Sequence, residues 1–250
     1  MKEKLSVRTL LYLLRWVIQC MTYYSRIVYL AGPDVFEADP IAVGEKKKTI
    51  CKCHGYTGLY PLDNEVPQQK SKEELARLIF EGNVNYIQMS NMVIANLNNF
   101  RGACDSGTMW EIGYALSIGK IVVAYAEDLM AIPELVRKHI ICIKASSFEE
   151  CINQVDNMDF CDYKNIFICF RGDMIYNLDA KKYDIRDADA VTSFKVGYLY
   201  GRDVKPKVTI SDKRSQVEKY GTECCGYSVE DFGLPYNLMI WFSSTLVDAV

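Results

Sequence analysis

Met92-Val93-Ile94-Ala95-Asn96-Leu97, followed after a short loop by Asp105-Ser106-Gly107-Thr108-Met109-Trp110-Glu111-Ile112-Gly113-Tyr114-Ala115, decides the fold. The first run is almost wholly apolar, as strands buried on both faces of a parallel sheet are. The second opens with Asp, Ser and Gly, a helix-start signal, and continues with apolar residues at helical spacing. Strand, loop and helix in that order make the repeating unit of an open α/β sheet, where ligands bind at the carboxyl ends of the strands. Glu111 is a carboxylate on the helix that leaves such an end.

Working outward, the same alternation recurs. Arg26 to Ala31 reads as a first strand ending at the Gly32-Pro33 turn. A helix is expected from Pro40 through Cys53, with proline in its first turn. Leu59 to Asn64 reads as a short strand running into a loop. Ser71-Lys72-Glu73-Glu74 is a capping-box pattern opening a helix that runs to about Ser90. Ile121 to Tyr125 is a buried strand, Ile132 to Lys138 a short helix, Ile140 to Ile143 a strand and Ser147 to Val155 a helix. The expected fold is therefore α/β: a doubly wound, mainly parallel sheet of the flavodoxin or Rossmann-like kind.

Composition narrows the function classes. The chain has 250 residues, half of them apolar, with a net charge of -3. Without a basic surplus, broad nucleic-acid binding is disfavoured, and a small-molecule substrate fits better. Only His54 and His139 are present, which excludes a mechanism built on several histidines. Ten cysteines lack any CxxC pair; Cys51-Lys52-Cys53-His54 lacks the matched ligand pairs of a zinc site, so no metal is expected. Free thiols suit a reducing, cytoplasmic compartment. Residues 1–25 read as an amphipathic leader, dispensable if Met21 is the natural start: Arg8 and Arg15 interrupt its apolar run, which is too short for stable membrane insertion.

Beyond residue 158 the chain echoes itself. Asp189-Ala190-Val191-Thr192-Ser193-Phe194-Lys195-Val196-Gly197-Tyr198 repeats the pattern of Asp105 to Tyr114, and Met174 to Leu178 echoes Met92 to Leu97. Lys195 stands where the first copy has Glu111. An amine cannot replace a carboxylate nucleophile, so this degenerate partial repeat is expected to be inert. The division is a leader at 1–25, a catalytic module at 26–158 and the partial repeat at 159–250.

The carboxylates suggest glycosidic chemistry. A glutamate can capture an oxocarbenium-like sugar as a covalent ester, which a second nucleophile releases, while an acid protonates the leaving group. Asp105, Asp34 and the Asp63-Asn64-Glu65 loop supply further acidic groups; Phe36, Tyr60 and Trp110 are aromatics able to stack on a base. Each residue also has a plain structural reading. Asp105 suits a helix N-cap, Glu111 a solvated helix face, Trp110 and Tyr114 a core, and Asp63-Asn64 a turn.

Taken together, five ordered blocks resemble the nucleoside 2-deoxyribosyltransferases: Tyr29 to Phe36, Gly58 to Glu65, Ile94 to Gly102, Asp105 to Ala115, and Glu230 to Met239. The resemblance implies transfer of 2-deoxyribose between nucleobases of 2'-deoxynucleosides, without metal or cofactor, by a homo-oligomer. It makes Glu111 the nucleophile and Asp105 the carboxylate that orients the sugar. It assigns Asp34, Phe36, Asp63 and Asn64 to the base side, adds Gly32, Asn83, Asn96 and Gly107 to the substrate-binding set, and makes Asn237 an asparagine that a neighbouring subunit lends to the sugar site.

The chain departs from the family pattern at Asn91, where an acidic residue is common, in its leader, and in the long stretch from Glu127 to about Ile210 that delays the tail block. Two arrangements follow: the second half packs on the first as a pseudo-subunit, bringing Asn237 to Glu111 within the chain or across a dimer, or the insertion displaces the tail. Two other functions stay open. One is an N-glycoside hydrolase of deoxynucleosides or their 5'-monophosphates; the other is a catalytically impaired binding protein.

Overall fold

Val28 and Leu30 point to one side of the first strand, Tyr29 and Ala31 to the other, and all four are buried. A strand with two buried faces requires cover on both. In the computed structural model, which describes residues 26–67, 70–158, 160, 190–210, 213–234 and 236–248, that cover comes from helices on each side of a five-stranded parallel sheet. Its strands are β1 (Ile27–Ala31), β2 (Thr57–Leu59), β3 (Met92–Asn96), β4 (Ile121–Ala126) and β5 (Ile141–Lys144), in the order β2-β1-β3-β4-β5. The doubly wound expectation is met, and the order reverses between β1 and β3, the point where such sheets open a crevice.

The intervening helices are α1 (Pro40–Cys53), α2 (Lys72–Met89), α3 (Ser106–Ser117), α4 (Glu134–Arg137) and α5 (Phe148–Val155). Their starts are chemically specified. Asp39 accepts from the N–H of Ala42, Ser71 and Glu74 complete their capping box, and Ser147 accepts from Glu150. One layer of core joins Cys51, Phe148 and Ile152 to Val28, Leu30, Ile94 and Val123; the other joins Phe80, Trp110 and Ile112 to Tyr29 and Val93.

Two local readings are corrected. The strand expected over Leu59–Asn64 ends at Leu59, and Pro61–Asp63 forms a 3-10 turn instead. Pro61 has no N–H for a ladder, and the Asp63 carboxylate folds back to accept from the N–H of Tyr60. The helix expected over Ile132–Lys138 is confined to Glu134–Arg137, because Pro133 sits at its N-cap and a separate 3-10 turn covers Leu129–Ala131.

The second half supplies α6 (Ala190–Tyr200), β6 (Lys207–Ile210), α7 (Gln216–Tyr220), the hairpin strands β7 (Glu223–Cys224) and β8 (Tyr227–Ser228), α8 (Leu238–Ser243) and β9 (Thr245–Asp248). β6 and β9 pair in parallel. Helix α6 lies against α3 so closely that a Cβ on Gly113 would be 2.0 Å from the Phe194 carbonyl oxygen. A Cβ on Gly197 would be 2.1 Å from that of Trp110. The leader and the Met174–Leu178 echo lie outside the described residues. Among those described, no helix is long and apolar enough to cross a membrane.

Candidate active site

The turns leaving β1 and β2 and the start of α3 converge on one cavity of about 300 Å³. Its wall includes Gly32 and Phe36 after β1, Asn64 after β2, Asn83 from α2, and Asp105, Gly107, Thr108 and Glu111 from α3 and its cap. The second half closes it with Glu230, Phe232, Asn237 and Met239.

Glu111 is 5% exposed. It faces the cavity and not bulk solvent, so the solvated-helix reading does not hold. Tyr29, at the centre of β1, donates its hydroxyl to Oε1 of Glu111 at 2.5 Å. Among the described residues no salt bridge reaches Glu111. Removal from water raises its pKa to about 8, with the Tyr29 hydrogen bond acting against the rise and the Asp105 charge adding to it. Tyr29 is itself pushed well above its ordinary range by burial and by Glu111, and so remains a donor.

Asp105 is both an N-cap and a wall of the cavity. Its Oδ2 accepts from the N–H and the hydroxyl of Thr108, each at 2.7 Å. Burial nonetheless raises its pKa. Glu230 is the third carboxyl. Desolvation, then the Asp105 charge, raises it to about 8, against the N–H of Leu238 and the more distant Arg101. Three acidic groups thus share one low-dielectric space, and the Asp105 charge raises both glutamates.

Asn237 caps α8 through Oδ1, which accepts from Met239 N–H at 2.9 Å, and its Nδ2 donates to Glu230 at 3.3 Å. Gly107 admits this side chain: a Cβ there would be 2.9 Å from Nδ2 of Asn237. Asn83 donates to the Met239 sulfur at 3.9 Å, while its buried Oδ1 has no hydrogen-bond partner among the described residues. An unmatched buried acceptor beside a cavity is a ready hydrogen-bond site for a ligand hydroxyl or N–H.

Three of the expected substrate-binding residues stand behind this wall. Asp34 forms a buried ion pair with Lys47 at 2.6 Å and accepts from Asn96 at 3.2 Å, so Asp34 and Asn96 are engaged with each other. Asp63 bonds Lys48 at 2.6 Å and caps its own turn. Asn64 reaches the cavity, but its amide donates to the Leu78 carbonyl. Of Phe36, Tyr60 and Trp110, the aromatics offered for base stacking, Phe36 lines the cavity. It stacks on Phe100 at 5.2 Å, with Arg101 over both rings. Tyr60 and Trp110 are core residues, and Trp110 donates to Ser243 at 2.8 Å. Cys51 is buried while Cys53 is exposed, and His54 bonds Asp156 at 2.5 Å, so this trio does not converge. Among the described residues no group of three or more His, Cys, Asp or Glu is placed to hold a metal ion.

Sequence reasoning missed Tyr29, Thr108 and Glu230 as members of the site. Tyr29 and Glu230 fall inside the quoted sequence blocks. Tyr29 looks like any core aromatic on a strand, and nothing local in Glu230-Asp231-Phe232-Gly233 signals burial.

The model of the nucleoside 2-deoxyribosyltransferase family matches residues 28–161, more than half of the chain. An uncharacterized protein of Schizosaccharomyces pombe is 33% identical over 116 residues, which cover 45% of this chain and 55% of that protein. The chain therefore spans about half the length of that curated relative. A solved 2-deoxyribosyltransferase from Bacillus psychrosaccharolyticus is similar with a TM-score of 0.44 and 21% identity, over 54% of this chain and 94% of its own. A conserved protein from Enterococcus faecalis V583 gives a TM-score of 0.42 and 18% identity, over 52% and 99%.

Proposed function

The chain belongs to the nucleoside 2-deoxyribosyltransferase family, and from that premise we propose that it moves 2-deoxyribose between nucleobases through an ester on Glu111. The observation that carries this reading is the buried Glu111 carboxyl in the cavity wall, hydrogen-bonded by Tyr29 and paired with no cation among the described residues. A carboxylate neutralised by a lysine would be a poor nucleophile; Glu111, once ionised, has no such partner among the described residues.

The reaction runs in two displacements. As the C1'–N bond of the donor breaks, its electron pair leaves with the base, which takes up a proton, and a Glu111 oxygen bonds to C1'. A ring nitrogen of the incoming base then attacks C1', the ester bond returns its electrons to Glu111, and that nitrogen loses its proton. Asp105 and Glu230, whose carboxyls hold protons above the ordinary range, are the candidates for giving and taking the proton. A sugar cation developing between these carboxyls favours their charged forms, so the attraction grows toward the transition state, where it accelerates the reaction. Glu111, mostly neutral at pH 7 in the free protein, ionises more readily with that positive charge beside it.

Among the described residues the cavity wall contains three carboxyls and neither lysine nor arginine. A 5'-phosphate would meet repulsion there and find no charged partner. This favours neutral deoxynucleosides over nucleotides as substrates, with Gly32, Phe36, Asn64, Asn83, Gly107 and Asn237 as the contacts.

The test is base exchange. The protein is incubated with a 2'-deoxynucleoside and a different free base, beside Glu111→Ala. A new deoxynucleoside formed only by the unmodified protein supports transfer. Glu111-dependent release of free base and deoxyribose without exchange would make it a hydrolase, and no Glu111-dependent turnover would leave a binding protein.

A further inference from the structure

The order of elements from α3 to β5 occurs twice. In the first instance a helix (α3) leads to β4, a connection with a short helix (α4), and β5, which pairs in parallel with β4. In the second, α6 leads to β6, a longer connection with two short helices (α7 and α8) flanking the β7–β8 hairpin, and β9, which pairs in parallel with β6. The helices also match residue for residue: Thr108 with Thr192, Trp110 with Phe194, Ile112 with Val196, Gly113 with Gly197, Tyr114 with Tyr198.

These matched positions meet reciprocally. Gly113 touches the backbone of Phe194, and Gly197 touches the backbone of Trp110. Trp110 and Phe194 are equivalents, so each helix presents the same patch to the other. Self-complementary contact of this kind is the signature of a two-fold axis relating two copies of one unit. Here both copies lie in a single chain.

The copies have diverged in complementary ways. The first keeps the acidic helix with Glu111 but has only residues 127–140 between its paired strands. The second has Lys195 in place of Glu111 yet carries residues 211–244 there, and that connection delivers Glu230 and Asn237 to the cavity. It is anchored to the first half of the chain by Lys72–Asp231 at 2.7 Å, by Arg101 donating to the Ser228 carbonyl, and by Trp110–Ser243.

We propose that residues 190–248 are a built-in partner: a diverged second copy of the 106–144 unit, docked about a pseudo-two-fold axis, that completes the cavity around Glu111 with Glu230 and Asn237. The site is then whole in one chain, and its completion does not depend on protein concentration, because a tethered partner meets its target intramolecularly. The chemistry assigned to that site rests on the preceding reading; the pseudo-symmetry and the completion in cis do not.

Lys72 and Asp231 are exposed on either side of this junction, so a carbodiimide can join them as an amide without a spacer. The full-length protein, diluted to nanomolar concentration, is treated, separated on a denaturing gel and digested for mass spectrometry. The Lys72–Asp231 peptide is expected in the single-chain band, about tenfold or more over any two-chain band, and absent from Lys72→Ala. Finding it only in the two-chain band, or in neither, overturns the proposal. Gly113→Leu and Gly197→Leu, on opposite helices, are expected to lower its yield alike, and an effect of only one would deny the reciprocal contact. Failed base exchange alongside a single-chain cross-link would remove only the catalytic reading.

Discussion

Tyr29 donates its phenolic hydrogen to Glu111 across 2.5 Å, joining the middle of β1 to the second turn of α3 at the cavity wall. This bond stabilises the ionised carboxylate, the form a nucleophile requires. In Tyr29→Phe the carboxyl loses its only hydrogen-bond donor among the described residues, and its pKa climbs further. A hydrogen bond to a charged group contributes about 1.5–3 kcal/mol. We therefore expect kcat/KM for base exchange to fall by roughly 10- to 100-fold at pH 7. The acidic limb of its pH profile should also move to higher pH. A packing defect alone would lower the thermal midpoint without moving that limb.

Glu111 also makes stability depend on pH. Its folded pKa is about 8 against an ordinary 4.5. Between those values the unfolded chain has released the proton that the folded protein retains, so stability falls as pH rises from about 4.5 to about 8 and levels above. Glu230 adds in the same direction. Thermal unfolding across this range is expected to show the decline. Glu111→Gln should flatten it, raising the midpoint by several degrees at pH 8 and scarcely at pH 4. Equal gains at both pH values would contradict a carboxyl strained by desolvation.

Most of the sheet could be read directly from the chain because it is built from local signals. The apolar runs of β3 and β4, the Ser71–Glu74 box and the prolines and aspartates before helices each specify their own element. The place of Glu111 in the cavity wall was legible because the resemblance and the strand-end rule coincide on it. Asp34 illustrates the limit: its position after β1 is evident, but Lys47, one helix later in sequence, captures it. Tyr29 and Glu230 show the same limit in reverse. Their roles arise from contacts spanning 82 residues in one case and from burial by a distant tail in the other.

The Lys47–Asp34 pair yields a test that separates framework from substrate contact. Both side chains are buried, and each neutralises the other. Lys47→Met strands a carboxylate in the interior, a change that costs about 3–5 kcal/mol when a buried pair is broken on one side. The double variant Lys47→Met with Asp34→Asn removes both charges and should recover much of that loss in thermal unfolding. If the double variant is no more stable than Lys47→Met alone, Asp34 is not held by the lysine as described.

Gly107 and Asn237 provide the sharpest test of the junction between the two halves. A methyl on Gly107 would lie 2.9 Å from the Asn237 amide and 3.2 Å from the Asp105 carboxylate, so Gly107→Ala must push the asparagine aside. Alanine improves helix propensity at this first-turn position by up to about 1 kcal/mol, so the fold should tolerate the change while the site does not. Asn237→Ala removes the same group outright and also uncaps α8, at about 1 kcal/mol. Each single variant is expected to lower kcat/KM by about 10-fold or more. The double variant should be no slower than Asn237→Ala alone, because the methyl group then has nothing left to displace. Fully additive losses would mean that Gly107 acts on Asp105 or on the substrate directly, and that the tail asparagine and the helix start work independently.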